Sequence, residues 1–149
     1  MRIDQIEDAL LSILRADPAL AGYVRTFAVI PSLDEAVLER TFKQFPAIGA
    51  VSTEGAYEYA MNGVQDERGT FQILCINRNL RSPVDALRGG AAAEKGLWHM
   101  IDDCRAALLA APDLGLPGVD CLPKRRSLLH SGDKWSAAAL EIDVKWRHQ

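Results

Sequence analysis

The stretch AIGAVSTEGAYEYAMNGVQDERGTFQILCIN, residues 47–77, decides the fold of this chain. An apolar run over residues 47–51 opens the stretch, and a second apolar run over residues 69–77 closes it. Asn62-Gly63 lies between the two runs, and both residues tolerate the positive φ angles that a two-residue hairpin turn requires. The stretch therefore predicts two strands that a hairpin joins in antiparallel order.

The middle of this stretch, residues 54–68, has two interpretations. It is either a mobile loop or a β-hairpin arm that extends past the body of the protein, and Glu67-Arg68-Gly69 is then a second turn or a bulge. Structureless stretches of this length are uncommon in compact domains. Tyr57, Tyr59 and Met61 recur with the period of a strand, and exposed tyrosines on an arm would favour pairing with a neighbouring subunit.

Before the hairpin, the pattern predicts two helices and a strand. Apolar residues at helical spacing predict the first helix over residues 2–16. The β-branched and aromatic residues of 23–30 predict a strand. Ser32 and Glu35 then match a capping box, which predicts a short helix that ends near Gln44.

After the hairpin, a short helix can follow Pro83, and a long helix is expected over residues 91–111. A helix of that length spans roughly 30 Å and should pack across the sheet. Gly96 weakens the prediction for its first turns. Its apolar stripe consists of Leu97, Met100, Ile101, Cys104 and Leu108.

The last third of the chain predicts strands. Residues 119–122 and 126–130 are short candidates, and residues 136–146 should pair with the second of them across the turn Ser131-Gly132-Asp133. The residues of this final strand alternate between two faces. One face carries Ala138, Leu140, Ile142, Val144 and Trp146, and the other carries Ala137, Ala139, Glu141, Asp143 and Lys145. This alternation is typical of an antiparallel strand with one buried and one polar face. We expect one α+β domain over residues 1–149. Its mainly antiparallel sheet is flanked by the N-terminal helix, the short helix and the long helix, with a possible protruding β-hairpin arm.

Composition excludes several classes of protein. The 149 residues are 48% hydrophobic and 25% charged, which is typical of a globular domain and not of a disordered one. A net charge of −3 disfavours tight binding to duplex DNA. The N-terminus lacks a signal-peptide pattern, and no apolar run approaches the roughly 18 residues that a membrane span needs. We therefore expect a cytoplasmic protein without a membrane partner, in which all three cysteines are buried free thiols.

No motif for a catalytic site, a cofactor or a metal is present. The chain has no P-loop and no dinucleotide-binding glycine motif after a strand. His99, Asp102 and Asp103 fall on neighbouring positions of the long helix, but Lys95 one turn earlier favours a solvated face over a metal site. Cys104 lies on the apolar stripe, so it should be buried and unreactive. We expect neither enzyme activity nor a cofactor.

Lys124-Arg125-Arg126 is the dense basic run of the chain. It either contacts phosphate or an acidic partner, or it protects an exposed sheet edge from aggregation, and the second interpretation is favoured. Trp98, at the margin of the long helix, is either an anchor for a partner or a side chain that packs on the second helix.

Several segments, taken in order, make the chain similar to a known family. They are Ile3-Asp4-Gln5-Ile6-Glu7-Asp8-Ala9, Val24-Arg25-Thr26, Leu33-Asp34-Glu35, Phe45-Pro46-Ala47, Asn79-Leu80-Arg81, Gly89-Gly90 and Leu114-Gly115-Leu116. With these segments the chain resembles the tail-completion proteins, or tail terminators, of Mu-like phages and prophages.

This resemblance implies a structural role in the virion tail after assembly in the host cytoplasm. Tail terminators form a homo-oligomeric ring, usually a hexamer, on the growing end of the tail tube. The ring stops addition of tube protein and offers its other face to the head–neck connector protein, while DNA passes through its hole without specific binding. The family carries no catalytic residue over to this chain, so Tyr57, Tyr59, Met61 and the run from Lys124 to Arg126 are candidate interfaces from the residues alone.

Two other functions stay open at this point. The chain could be a small ligand-binding or regulatory module with a pocket between the long helix and the sheet. It could also be an enzyme that uses His99, Asp102 and Asp103, with or without a metal.

Overall fold

A computed structural model describes residues 1–78, 82–89, 95–132 and 134–148 of the protein. The helices over these residues are α1 (Ile3–Ala16), α2 (Pro18–Ala21), α3 (Glu35–Thr41), α4 (Pro83–Arg88) and α5 (Leu97–Leu109). The strands are β1 (Thr26–Val29), β2 (Ala47–Met61), β3 (Val64–Arg78), β4 (Asp120–Ser131) and β5 (Trp135–His148). Residues 79–81, 90–94, 133 and 149 lie outside this description. They include parts of the family-like segments, of the predicted long helix and of the last turn.

The five strands form one sheet in the order β1-β2-β3-β5-β4. β1 and β2 are parallel, because α3 crosses over between them, and every other neighbouring pair is antiparallel. This architecture confirms the predicted α+β class with a mainly antiparallel sheet.

Residues 54–68 belong to the long β2–β3 hairpin, so the arm interpretation is correct and the loop interpretation is wrong. The turn lies at Asn62 and Gly63 as predicted, with φ angles of 48° and 76°. Glu67-Arg68-Gly69 is neither a turn nor a bulge, since these residues pair in unbroken register with β2 and with β5. Two irregularities lie on β2 instead, one between Ser52 and Glu54 and the other between Tyr59 and Met61.

Helices α1 and α5 cover one face of the sheet, which we call the helix face. Their apolar stripes are buried as predicted, and the residues that share this core with β3 and β5 include Ile6, Leu10, Leu14, Met100, Ile101, Cys104 and Leu108. A second, smaller core lies on the opposite face under α3, where Leu38 and Phe42 pack with Leu74, Ile76 and Trp135.

The second core corrects the predicted exposure of β5. Ala137 and Ala139 were expected on a polar face, but both are buried, and Ala137 belongs to the core under α3. The polar face is confined to Glu141, Asp143 and Lys145 and the residues beyond.

Three predicted boundaries are also corrected. Asp34 and not Ser32 caps α3, because its Oδ1 accepts hydrogen bonds from the amides of Ala36 (2.9 Å) and Val37 (3.4 Å). β4 is one strand and not the two that were expected over residues 119–130. The long helix begins at Leu97, with Gly96 as its N-cap. A Cβ at position 96 would overlap the backbone at the end of the preceding helix, so the position requires glycine.

Candidate functional site

The far end of the hairpin and the end of β5 form a three-stranded arm, which we define as residues 53–70 and 143–148. Its β2 side has a free outer edge, because β1 pairs only with residues 47–50 of β2 and no other described strand lies beside it. We call the outer side of β2 over residues 53–61 the arm edge. The predicted interface residues lie there, and the exposed fractions are 60% for Tyr57, 79% for Tyr59 and 62% for Met61.

The last residues of β5 hold the arm in place. β5 stays paired with β3 up to His148 opposite Gln65, whereas β4 reaches only Lys145. Three strands therefore continue past the point where the rest of the sheet ends. The arm extends beyond the body as an ordered part of the sheet and not as a detached hairpin.

An aromatic pair fills the base of the arm on the helix face. Trp146 is 2% exposed, and its ring centroid lies 6.2 Å from that of Phe71 at a tilt of 55°. Gly69 lies beneath both rings, since a Cβ there would be 3.0 Å from Phe71 Cε2 and 3.2 Å from Trp146 Cη2. Opposite Tyr57 and Trp146 in register, Glu67 is buried at 5% exposure.

On the opposite face, ion pairs connect the strands of the arm. Asp66 lies 3.1 Å from Arg147 Nε and 3.8 Å from Lys145 Nζ, and Glu58 lies 4.0 Å from a terminal nitrogen of Arg68. Exposed pairs of this kind contribute about 0–1 kcal/mol each. Their charges alternate with the apolar residues of the helix face, so they help to fix the register of the arm.

The predicted basic run lies on β4, at the opposite edge of the sheet from the arm. Arg125 Nε pairs with Glu141 at 3.0 Å and Lys124 Nζ with Asp143 at 3.9 Å, while Arg126 has no ion-pair partner among the described residues. The structure therefore does not bring the two predicted interface regions together within one copy. We call the outer side of β4 the β4 edge.

The sequence did not single out three further residues of the β4 edge region. Leu122, Leu128 and Leu129 are 50%, 47% and 43% exposed. Exposed leucines beside a basic run are a signal that the sequence contains, but it can be interpreted only when the strand is known to be an edge.

The predicted metal candidates on α5 have other contacts. The hydroxyl of Tyr23 donates a 2.6 Å hydrogen bond to Asp103 Oδ2, and burial together with this carboxylate raises the pKa of Tyr23. His99 is exposed. No group of three potential metal ligands occurs in the part of the chain that the structure describes.

The cysteines are free and buried, as predicted. Cys75 Sγ and Cys104 Sγ share a hydrogen bond of 3.9 Å, and this bond together with burial raises the pKa of Cys104. Burial raises the pKa of Cys121 to about 12. Thiols with raised pKa values in an apolar core are poor nucleophiles.

Residues 2–147 of this chain match the model of a protein family that is described as bacteriophage Mu, Gp37. The chain belongs to the bacteriophage Mu Gp37 family. The phage origin that the resemblance implied is thereby confirmed. No curated protein matches this Gp37-family chain significantly.

Two cavities in the Gp37-family protein bear on the predicted pocket. The space between α5 and β4 is about 90 Å³, far below the roughly 300 Å³ at which ligand pockets begin. A more open cavity of about 290 Å³ lies elsewhere, between α3 and the β4–β5 turn, and is lined by Glu35, Glu39, His130, Gly132, Lys134 and Trp135. Within the described residues, no helix combines the length and the apolar character that a bilayer span requires.

Proposed function

We propose that this Gp37-family protein completes the phage tail. Six copies form a ring on the growing end of the tail tube, stop the addition of tube protein and join the tail to the head–neck connector protein. The family match supports the phage context, and the similarity of the ordered sequence segments to tail terminators supports the specific role.

The observation that carries this proposal is the arm. Its exposed apolar side chains, Tyr57, Tyr59 and Met61, lie on a strand whose outer backbone groups have no partner strand among the described residues. An exposed edge with aromatic side chains can pair with a strand of another chain, which soluble monomers generally avoid. Such a feature favours a protein whose working state is an assembly.

The charges suit a ring through which DNA passes without being held. The net charge is −3, and several cations of the polar sheet face already have carboxylate partners. Duplex binding needs many unpaired Lys and Arg side chains directed at phosphates. The role that we propose is structural and needs neither a cofactor nor catalysis.

The test adds purified protein to polymerising tube protein and measures tube lengths by electron microscopy. We expect the protein to stop elongation, and light scattering should show assemblies of six times the 16.3 kDa chain mass, free or on tube ends. Tyr59→Lys should abolish this effect. Val84→Lys is the control, because Val84 is 56% exposed but lies on α4. Unchanged tube lengths with the wild-type protein would refute the proposal.

A further inference from the structure

We propose that the arm edge of one copy pairs with the β4 edge of the next copy, as an added antiparallel strand. The inference rests on the proposed ring and specifies the contact between its subunits. It joins the two predicted interface regions, which lie on opposite edges of the sheet within one copy.

Both edges have the features of a surface that is covered in the working state. Neither has a partner strand among the described residues over its outer side. The arm edge exposes Tyr57, Tyr59 and Met61, and the β4 edge exposes Leu122, Leu128 and Leu129, each of the six by at least 43%. Strand addition would satisfy the backbone groups, while these side chains would bury apolar area against each other.

The two edges carry net charges of opposite sign. Residues 53–61 contain Glu54 and Glu58 and no basic residue, whereas β4 carries Lys124, Arg125 and Arg126 in succession. Arg105, Lys124, Arg125 and Arg126 also line the small cavity between α5 and β4, together with one carboxylate, that of Asp102. Opposite charges across an interface raise the rate at which two partners associate and disfavour wrong partners. Here the partner is a second copy of the chain.

The strand directions permit the contact. β2, β3, β5 and β4 alternate in direction across the sheet, so β2 and β4 run antiparallel. When a second sheet lies beside the first in the same orientation, its arm edge meets β4 in antiparallel order. Within one copy, β1 occupies the outer side of β2 up to residue 50. The neighbouring copy can therefore pair only with the part of β2 that lies in the arm.

The contact joins two different patches, so it is heterologous. Heterologous contacts generate a ring when the rotation between copies closes, and a filament when it does not. One contact of this kind, repeated, is sufficient to build the proposed ring.

The test uses charge reversal and mixing. One variant carries Glu54→Lys and Glu58→Lys, and the other carries Lys124→Glu and Arg126→Glu. Glu58 and Lys124 also form ion pairs within one copy, with Arg68 and Asp143, so urea denaturation of each variant must first show a stably folded chain. Arg125 is left unchanged because its pair with Glu141 is shorter, at 3.0 Å. We expect each variant alone to fall from six copies to one in light scattering. Mixed in equal amounts, they should assemble again, because each variant's arm edge is then complementary to the other's β4 edge.

The controls separate this inference from the proposed function. Asp8→Lys with Glu39→Lys changes the net charge as the arm variant does, at exposed helix positions, and should leave the ring intact. Rings that persist in either single-edge variant would overturn the pairing, as would monomers that fail to assemble on mixing. Both results leave tube capping by the wild-type protein unaffected. A wild-type chain that stays monomeric at all concentrations and on tube ends would overturn both proposals.

Discussion

The indole ring of Trp146 lies over Gly69, with Cη2 and Cζ3 at 3.2 and 3.3 Å from the position that a Cβ would occupy. Phe71 Cε2 lies at 3.0 Å from the same position, so both rings must move to admit a methyl group. We expect Gly69→Ala to lower the free energy of unfolding by about 1–3 kcal/mol through overpacking. Urea denaturation of the purified protein measures this difference.

Gly22 provides the matched control for that substitution. Its φ of −70° and ψ of −23° suit any residue, and a Cβ there would lie 3.4 Å from the nearest oxygen. Gly22→Ala should therefore raise the stability, by about 0.4–1 kcal/mol, because it restricts the unfolded chain. Equal effects of the two substitutions would show that the contact between Gly69 and Trp146 has no energetic role.

Tyr23 should contribute to stability through its hydroxyl group. Its hydrogen bond to Asp103 is 2.6 Å long and fastens the segment after α2 to α5. Tyr23→Phe removes the donor to a half-buried carboxylate, which should cost about 1.5–3 kcal/mol of unfolding free energy. The measurement is again urea denaturation. Tyr59→Phe is the control and should change nothing, since Tyr59 is 79% exposed, and a large loss there would contradict this assignment.

Glu7 should make the stability of the protein depend on pH. Burial raises the pKa of Glu7 above its ordinary value of 4.5, against the opposing effect of the 3.2 Å hydrogen bond from the amide of Ser52. A raised pKa in the folded state means that ionisation disfavours folding. This loss of folding stability is absent at pH values below the pKa that Glu7 has in the unfolded chain. It appears as the pH rises through and beyond that pKa.

Glu7→Gln keeps an acceptor for the Ser52 amide but cannot ionise. The variant should match the wild type in melting temperature at about pH 3 and exceed it at about pH 7. Glu39→Gln is the control, because Glu39 is exposed on α3 and its replacement should leave the melting temperature unchanged at both pH values. A Glu7→Gln variant that is less stable than the wild type at neutral pH would contradict this prediction.

The three thiols should be unreactive in the native protein. Each cysteine is buried, and the pKa values of Cys104 and Cys121 are raised. We expect negligible reaction with a thiol-specific disulfide reagent at about pH 8, and three thiols after denaturation. Rapid reaction of one thiol per folded chain with the reagent would show that a cysteine is accessible.

Patterns along the chain were sufficient to predict most of the elements. Asn62-Gly63 located the hairpin turn, and the apolar stripes of α1 and α5 identified their buried faces. Local patterns of this kind need only the period of a strand or helix. The alternation of Tyr57 and Tyr59 likewise indicated the arm strand, although the sequence left a loop as the alternative.

The incorrect predictions concern contacts between segments that are distant in the sequence. Ala137 is buried in the core under α3, and nothing adjacent in the sequence shows this. The cap of α3 was assigned to Ser32 because the spacing to Glu35 fitted, yet Asp34 is two positions nearer the first free amides. The opposite placement of the arm edge and the β4 edge follows from strand order, which periodicity does not determine.

The pairing of β5 with β3, which holds the arm in place, has a consequence for the kinetics of assembly. Trp146 and the hydrogen-bonded pairing of β3 with β5 already order the arm. The free energy of binding a partner therefore need not offset the conformational entropy that would be lost if the arm folded on binding. Association without a folding step is limited by encounter and orientation, and typical rate constants are about 10⁵–10⁷ M⁻¹s⁻¹. With a preorganised arm, closure of the proposed ring would depend on how often copies collide and on how long each contact lasts.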